Sequence, residues 1–295
     1  MLFDTTILYG KPVVQAVRDR LEADIRVLSS RGIIPGLAVI LVGDDPASHR
    51  YVRNKERVFH SLSCYSETFQ LSAQTSEPEL IELIHSLNQS AKFHGILIQL
   101  PLPAHLNTNR IMNTVLPEKD VDGFHPLNLG LLLQGIPRFI PCTPNGILEL
   151  MKYYRISPEG KHAVILGRSN IVGKPMFALL VQKFKMGNST VTLCHTKTPD
   201  IGTFIKQADI LISASGVPGL VNGDMIKSGS HIIDVGINQI ADESSKGFRL
   251  TGDVDYESVL GKATSITPVP GGVGPLTIIM LAGNTVAAAK NYLRP

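Results

Sequence analysis

Residues 162–175 read HAVILGRSNIVGKP. A short apolar run ends at Gly167, a turn of small and polar residues follows, and Lys174-Pro175 sit at the start of a helix-period segment. The spacing is that of a buried strand, a tight turn and a helix N-terminus, whose free N–H groups and aligned peptide dipoles favour an anion. The glycine pattern is GxSxxxG rather than GxGxxG, so a tight turn without a ligand stays open as a reading of this stretch alone. Outward from it the alternation continues: TVTLC (190–194), a helix, ADILISAS (208–215), then HIIDVGIN (231–238). Apolar runs alternating with helical segments predict a doubly wound parallel sheet of the nucleotide-binding kind, with the first helix spanning about 173 to 184.

The N-terminal half repeats the pattern independently. GLAVILVG (36–43) reads as a buried strand, and Asp45 and Pro46 as the cap and first turn of a helix running to about Leu62. A strand near Ser66–Leu71 follows, and Ser76 with Glu79 forms a capping box in front of PELIELIHSLNQ (78–89). GILIQLPLP (95–103) reads as a third strand stopped by its prolines, residues 104–140 as loop-rich, and Thr143-Pro144 as the opening of a helix. The expected class is therefore α/β, with two domains and a change near residue 145. The long closing helix, PLTIIMLAGNTVAAAKNYL, is expected to pack back on the first domain.

Composition narrows the function classes. With 43% hydrophobic and 18% charged residues the chain falls in the range of globular α/β proteins. A net charge of +3 without a basic block argues against nucleic acid as a partner. No apolar run approaches the ~20 residues of a membrane helix, and the opening MLFDTTILYGKP does not read as a secretory signal. Cys64, Cys142 and Cys194 are odd in number and lack zinc spacing, and the nine histidines are scattered. We therefore expect no disulfide framework, no metal and a cytoplasmic protein.

Several residues stand out chemically. Where a dinucleotide enzyme commonly has an acidic residue for the ribose hydroxyls, this chain has His195-Thr196-Lys197-Thr198. A carboxylate there would repel a 2′-phosphate, whereas Arg168, Thr196 and Lys197 can bind one, which favours NADP over NAD; solvated loop residues are the alternative. In the first half, Tyr51 and Lys55 share a helix face, and Lys55 falls between Val52 and Phe59 on the apolar stripe. Such a lysine either carries its amine out to water or, if desolvated, becomes a base near neutrality. Gln99 is the polar residue of GILIQLPLP, either satisfied by backbone or part of a site. Asp120 and Asp122 stand beside Gly123, where turn capping competes with a functional role.

Taken together, VGDDPASHRYVRNK, GILIQLPLP, PEKDVDGFHPLNLG, PCTPNGILEL, GRSNIVGKP, HIIDVGIN, GDVDY and ITPVPGGVGPLT resemble, in order, the bifunctional methylenetetrahydrofolate dehydrogenase/methenyltetrahydrofolate cyclohydrolase family. The resemblance implies a homodimer of two-domain α/β subunits: a folate-binding catalytic domain (1–145), an NADP-binding Rossmann domain (146–275) and a C-terminal helix (276–295), with folate in the cleft between domains. It implies oxidation of 5,10-methylenetetrahydrofolate with NADP, then hydrolysis to 10-formyltetrahydrofolate. By the same resemblance Lys55, Gln99 and Asp122 are catalytic. Tyr51 stacks on the folate, Asp122 grips the pterin amino group, and Pro270, Gly271 and Gly272 line the substrate. Gly167, Arg168, Ser169, Ile171, Gly173, His195, Thr196 and Ile237 are assigned to the cofactor. Arg57, Ser63-Cys64 and Leu276 depart from the family's usual residues without touching that set.

Overall fold

A computed structural model describes residues 4–242 and 247–291. The chain forms two compact units. One comprises Gln15–Cys142 with residues 278–291, the other Thr143–Thr277 with residues 4–14.

The first unit is built on a three-stranded parallel sheet in the order Tyr65–Leu71, Gly36–Val42, Gly95–Ile98. Every residue of the central strand is buried, which is why it reads as an unbroken apolar run rather than an alternating one. Leu80, Ile84 and Leu87 of the Glu77–Gln89 helix pack against the sheet residues Ala38, Ile40, Ile96 and Ile98. That helix opens with the capping box: the Glu79 N–H donates to Ser76 Oγ, and the Ser76 N–H to Glu79 Oε2. Its C-terminus is closed from outside the helix by Lys119, whose buried ammonium donates to the Leu87 and Ser90 carbonyls at 2.9 and 2.6 Å.

Two expectations for this half are corrected. The third strand ends at Ile98 instead of reaching Pro103, because Pro101 has no N–H to continue the ladder. The region 104–140 holds two short helices, Thr108–Thr114 and Pro126–Leu133. Each is capped by a side chain, Asn107 Oδ1 accepting from the Arg110 N–H and His125 Nδ1 from the Leu127 N–H. Pieces of seven and eight residues are too short for periodicity to reveal them.

The second unit is a six-stranded parallel sheet. Its order is Thr6–Ile7, Ser265–Ile266, His231–Asp234, Ile210–Ser213, His162–Leu166, Thr190–Cys194. The outermost strand comes from the N-terminal segment, and residues 4–14 group with this unit. Leu8 donates to the Ile266 carbonyl, Gly10 to that of Gly271, and Leu8 is 1% exposed. A two-residue strand carries no readable pattern of its own, so only its partner reveals it. The helix after the glycine turn, Gly173–Val181, ends at Val181 rather than about 184, and the HIIDVGIN strand stops at Asp234. Beyond it an unanticipated antiparallel pair forms, Asn238–Ala241 with Phe248–Thr251. The closing helix spans Gly274–Asn291, and residues 292–295 lie outside the described part of the chain.

Candidate active site

The Pro46–Ser61 helix is started by Asp45, whose Oδ2 accepts from the Ser48 N–H at 2.8 Å and the Ser48 hydroxyl at 2.7 Å, with Pro46 in the first turn. Ser48, Val52 and Phe59 are buried along one stripe, and Lys55 lies half-buried on the same stripe. Its amine does not run out to water. Lys55 Nζ donates to Gln99 Oε1 at 2.8 Å, and Gln99 Nε2 donates to the Leu100 carbonyl at 2.8 Å. Gln99 itself stands one residue past the end of its strand, where its N–H makes the last bond to Ile40.

Asp122 approaches from the Pro117–His125 loop. Burial lowers the pKa of Lys55, and the negative charge of Asp122 acts in the opposite direction. Burial raises Asp122, opposed by the Lys55 charge and by a hydrogen bond from the Cys142 thiol, whose Sγ lies 3.5 Å from Asp122 Oδ1. The Cys142 thiol is itself pushed well upward by burial and by Asp122, so it is a donor and not a thiolate. Lysine, amide, carboxylate and thiol thus form one contiguous group in the first unit. Tyr51 lies one turn away on the same helix, 46% exposed.

The loop carrying Asp122 is held from below. The Asp120 carboxylate accepts from the Phe124 and His125 N–H groups and from Asn128 Nδ2 at 3.2, 2.8 and 2.8 Å. Burial pushes it up to about 6 against the pull of those donors. Of the two aspartates, Asp120 is therefore the turn cap. Asn284 in the last helix donates to the Val121 and Ile140 carbonyls, on either side of the group. Sequence reasoning missed Cys142 and Asn284: a solitary cysteine and a helical asparagine signal nothing until the backbone brings them beside Asp122.

In the second unit a cavity of about 780 Å³ opens at the carboxyl ends of His162–Leu166, Thr190–Cys194 and Ile210–Ser213. This is where the strand order reverses, the place an open α/β sheet offers a ligand. Gly167, Arg168, Ser169, His195 and Thr196 line it, together with Asp200, which the sequence reading did not single out. The turn needs its glycines. Gly167 has φ of +113°, and a Cβ on Gly173 would stand 1.9 Å from the Gly167 carbonyl oxygen. Ser169 Oγ accepts from the Val172 N–H at 3.1 Å. The 195–198 segment closes into a turn, with the His195 N–H donating to Thr198 Oγ1 and the Thr198 N–H to the His195 carbonyl.

Three assigned cofactor residues are not on that cavity's wall. Gly173 is buried beneath the turn, Ile171 is 42% exposed on it, and Ile237 lines a second, smaller cavity of about 130 Å³. Pro270, Gly271 and Gly272 line that second cavity with Ile237. They therefore belong to the second unit, whereas Lys55, Gln99 and Asp122 belong to the first.

Residues 8–122 match the catalytic-domain model of tetrahydrofolate dehydrogenase/cyclohydrolase, and residues 141–293 match its NAD(P)-binding-domain model. The chain belongs to the tetrahydrofolate dehydrogenase/cyclohydrolase family. A relative from Nautilia profundicola, described as the bifunctional protein FolD, is 48% identical over 98% of this chain and 99% of its own length. The solved FolD methylenetetrahydrofolate dehydrogenase/cyclohydrolase of Campylobacter jejuni superimposes with a TM-score of 0.92 at 45% identity, covering 98% of this chain and 100% of the other. The Trypanosoma brucei FolD, solved with NADP cofactor and an inhibitor, gives 0.92 at 36% identity over 99% of both chains. The family's two parts fall on the two regions that carry the lysine group and the large cavity.

Proposed function

We propose that this chain oxidises 5,10-methylenetetrahydrofolate to 5,10-methenyltetrahydrofolate with NADP and hydrolyses that cation to 10-formyltetrahydrofolate. Full-length likeness to bifunctional relatives supports both activities. The observation that carries the second is the 2.8 Å Lys55–Gln99 hydrogen bond beside Asp122, on an amine whose pKa burial lowers.

The 780 Å³ cavity fits a dinucleotide: a glycine turn permits close backbone approach, and Arg168 brings a cation with no carboxylate in the 195–198 turn. We assign Gly167, Arg168, Ser169, His195 and Thr196 to holding NADP, and Ile171, Gly173 and Ile237 to shaping its surroundings. Held there, NADP would supply the acceptor for the hydride released from the one-carbon bridge. That step removes no proton, since the lone pairs of the two flanking nitrogens expel the hydride, and this chain contributes binding and orientation.

Hydrolysis does need proton traffic. Water adds to the methenyl carbon, one carbon–nitrogen bond breaks, one water proton ends on the released nitrogen and the other leaves to solvent. Lys55, neutral and held by Gln99, receives the proton as water attacks and passes it on. Asp122 binds the pterin amino group, Tyr51 stacks on the folate, and Pro270, Gly271 and Gly272 contact the substrate. We assign catalysis to the N-terminal region and NADP to 146–275. We also propose a homodimer, testable by sedimentation velocity, and a cytoplasmic location, which three buried, unpaired cysteines favour.

The deciding experiment follows absorbance in the presence of methylenetetrahydrofolate and NADP, with NAD in parallel, reading nicotinamide reduction and then methenyl decay. Lys55→Met is expected to abolish decay while the protein stays folded and binds NADP. Full hydrolysis in that variant would remove Lys55 from the mechanism.

A further inference from the structure

The Asp253 carboxylate is completely buried, yet it lines neither cavity of the second unit. Its Oδ2 gathers four donors from the segment that leaves the Ile210–Ser213 strand. These are the Ser215 N–H at 2.6 Å, the Ser215 hydroxyl at 2.9 Å, the Gly216 N–H at 3.2 Å and the Ser213 hydroxyl at 3.3 Å. Its Oδ1 accepts from Asn238 Nδ2 at 2.9 Å, next to Ile237. Asp253 is fixed in turn, its N–H donating to Asp234 Oδ1 at 3.0 Å. Gly236 is the residue that leaves room for it, since a Cβ there would stand 2.1 Å from Asp253 Oδ1.

Ala214, Ser215 and Val217 form one wall of the 780 Å³ cavity. Beyond Ala214, whose N–H still donates to the Leu166 carbonyl, the Ser215 and Gly216 N–H groups leave the ladder, and a buried carboxylate is a strong substitute acceptor for them. Four donors on one oxygen restrict that wall to a single arrangement before any ligand arrives, which removes ordering cost from binding.

We propose that Asp253 is a positioning residue for the dinucleotide: it acts through the 213–216 segment to hold the cavity wall in its binding arrangement. The proposal rests on the assignment of this cavity to NADP. Replacing one carboxylate oxygen by an amide N–H removes an acceptor where at least one donor must remain, so the wall loosens while the sheet beneath it is retained.

The test is calorimetric titration of the full-length protein with NADP, alongside steady-state kinetics and amide hydrogen exchange. The parent should bind NADP; if it does not, the cofactor assignment itself fails. In Asp253→Asn we expect Kd and KM for NADP to rise together by about tenfold, with kcat at saturating NADP retained, the mark of lost uniform binding. Exchange in the ligand-free protein should quicken at Ser215 and Gly216 and stay slow at Ile165 and Ile212. Unchanged Kd with a parent that binds overturns the proposal. So does exchange that quickens across the whole sheet, because Asp253 would then be merely structural. If Asp253→Asn does not fold, Ser213→Ala carries the test. It removes one donor to the same oxygen from outside the cavity wall. A weakening of NADP by about threefold supports the role, and an unchanged Kd overturns it.

Discussion

Lys55 illustrates how a single position changes meaning between chain and fold. Its place on the Val52–Phe59 stripe is visible in the sequence, but two fates fit that place, and the bond to Gln99 selects between them. The pH dependence follows from the opposing influences on it. Burial lowers its pKa and Asp122 acts to raise it. Removing the Asp122 charge therefore lowers it further. Where the neutral amine is the working form, the acid limb of the hydrolysis rate in Asp122→Asn moves to lower pH, whatever happens to its plateau. A pH–rate profile of methenyl decay reads this directly, and an unmoved limb would separate Asp122 from the titration of Lys55. Arg168 gives a second test at this scale. Arg168→Ala should weaken NADP more than NAD by ~1.5–3 kcal/mol if a charge-assisted bond to the 2′-phosphate is lost. Equal losses in a binding titration would show that it reads no such phosphate.

At the scale of elements, those with local signals were legible and those without were not. The capping box of Glu77–Gln89 and the Asp45-Pro46 start of the lysine helix follow from side chains adjacent to the backbone they cap. The loop that presents Asp122 depends instead on a buried carboxylate gathering donors from residues four to eight positions later. Because burial lifts Asp120 to about 6, its protonated form is favoured in the folded protein. Its contribution to stability is thus greatest below the unfolded value and is lost as pH rises through about 6. Denaturant titrations between pH 4 and 7 should show the stability of Asp120→Asn relative to the parent improving by up to about 3 kcal/mol as pH rises. A constant difference across that range would mean that Asp120 does not titrate there.

For the whole molecule, the two units are each assembled from segments distant in sequence. Leu8 is buried against a sheet otherwise made from residues after Thr143, and it enters through a strand of two residues. Leu8→Ala should therefore destabilise the protein by about 2–4 kcal/mol in chemical denaturation. A change below about 0.5 kcal/mol would show that the N-terminal strand is not part of the core. Asn284 makes the same point from the other end, donating to the Val121 and Ile140 carbonyls more than a hundred residues earlier.

The sequence by itself determined the class of the fold, the main strands and helices, the glycine turn and the family. Those features are written in short-range patterns: apolar runs, caps, turn residues and ordered motifs. Only the tertiary structure decided which aspartate is cap and which faces the lysine, that Cys142 is a hydrogen-bond donor to Asp122, and that Asp253 secures the wall of the large cavity. It also decided that Thr6–Ile7 join the second sheet. Each of these depends on burial and on partners remote along the chain, and neither desolvation nor a distant donor leaves a local trace in the order of residues.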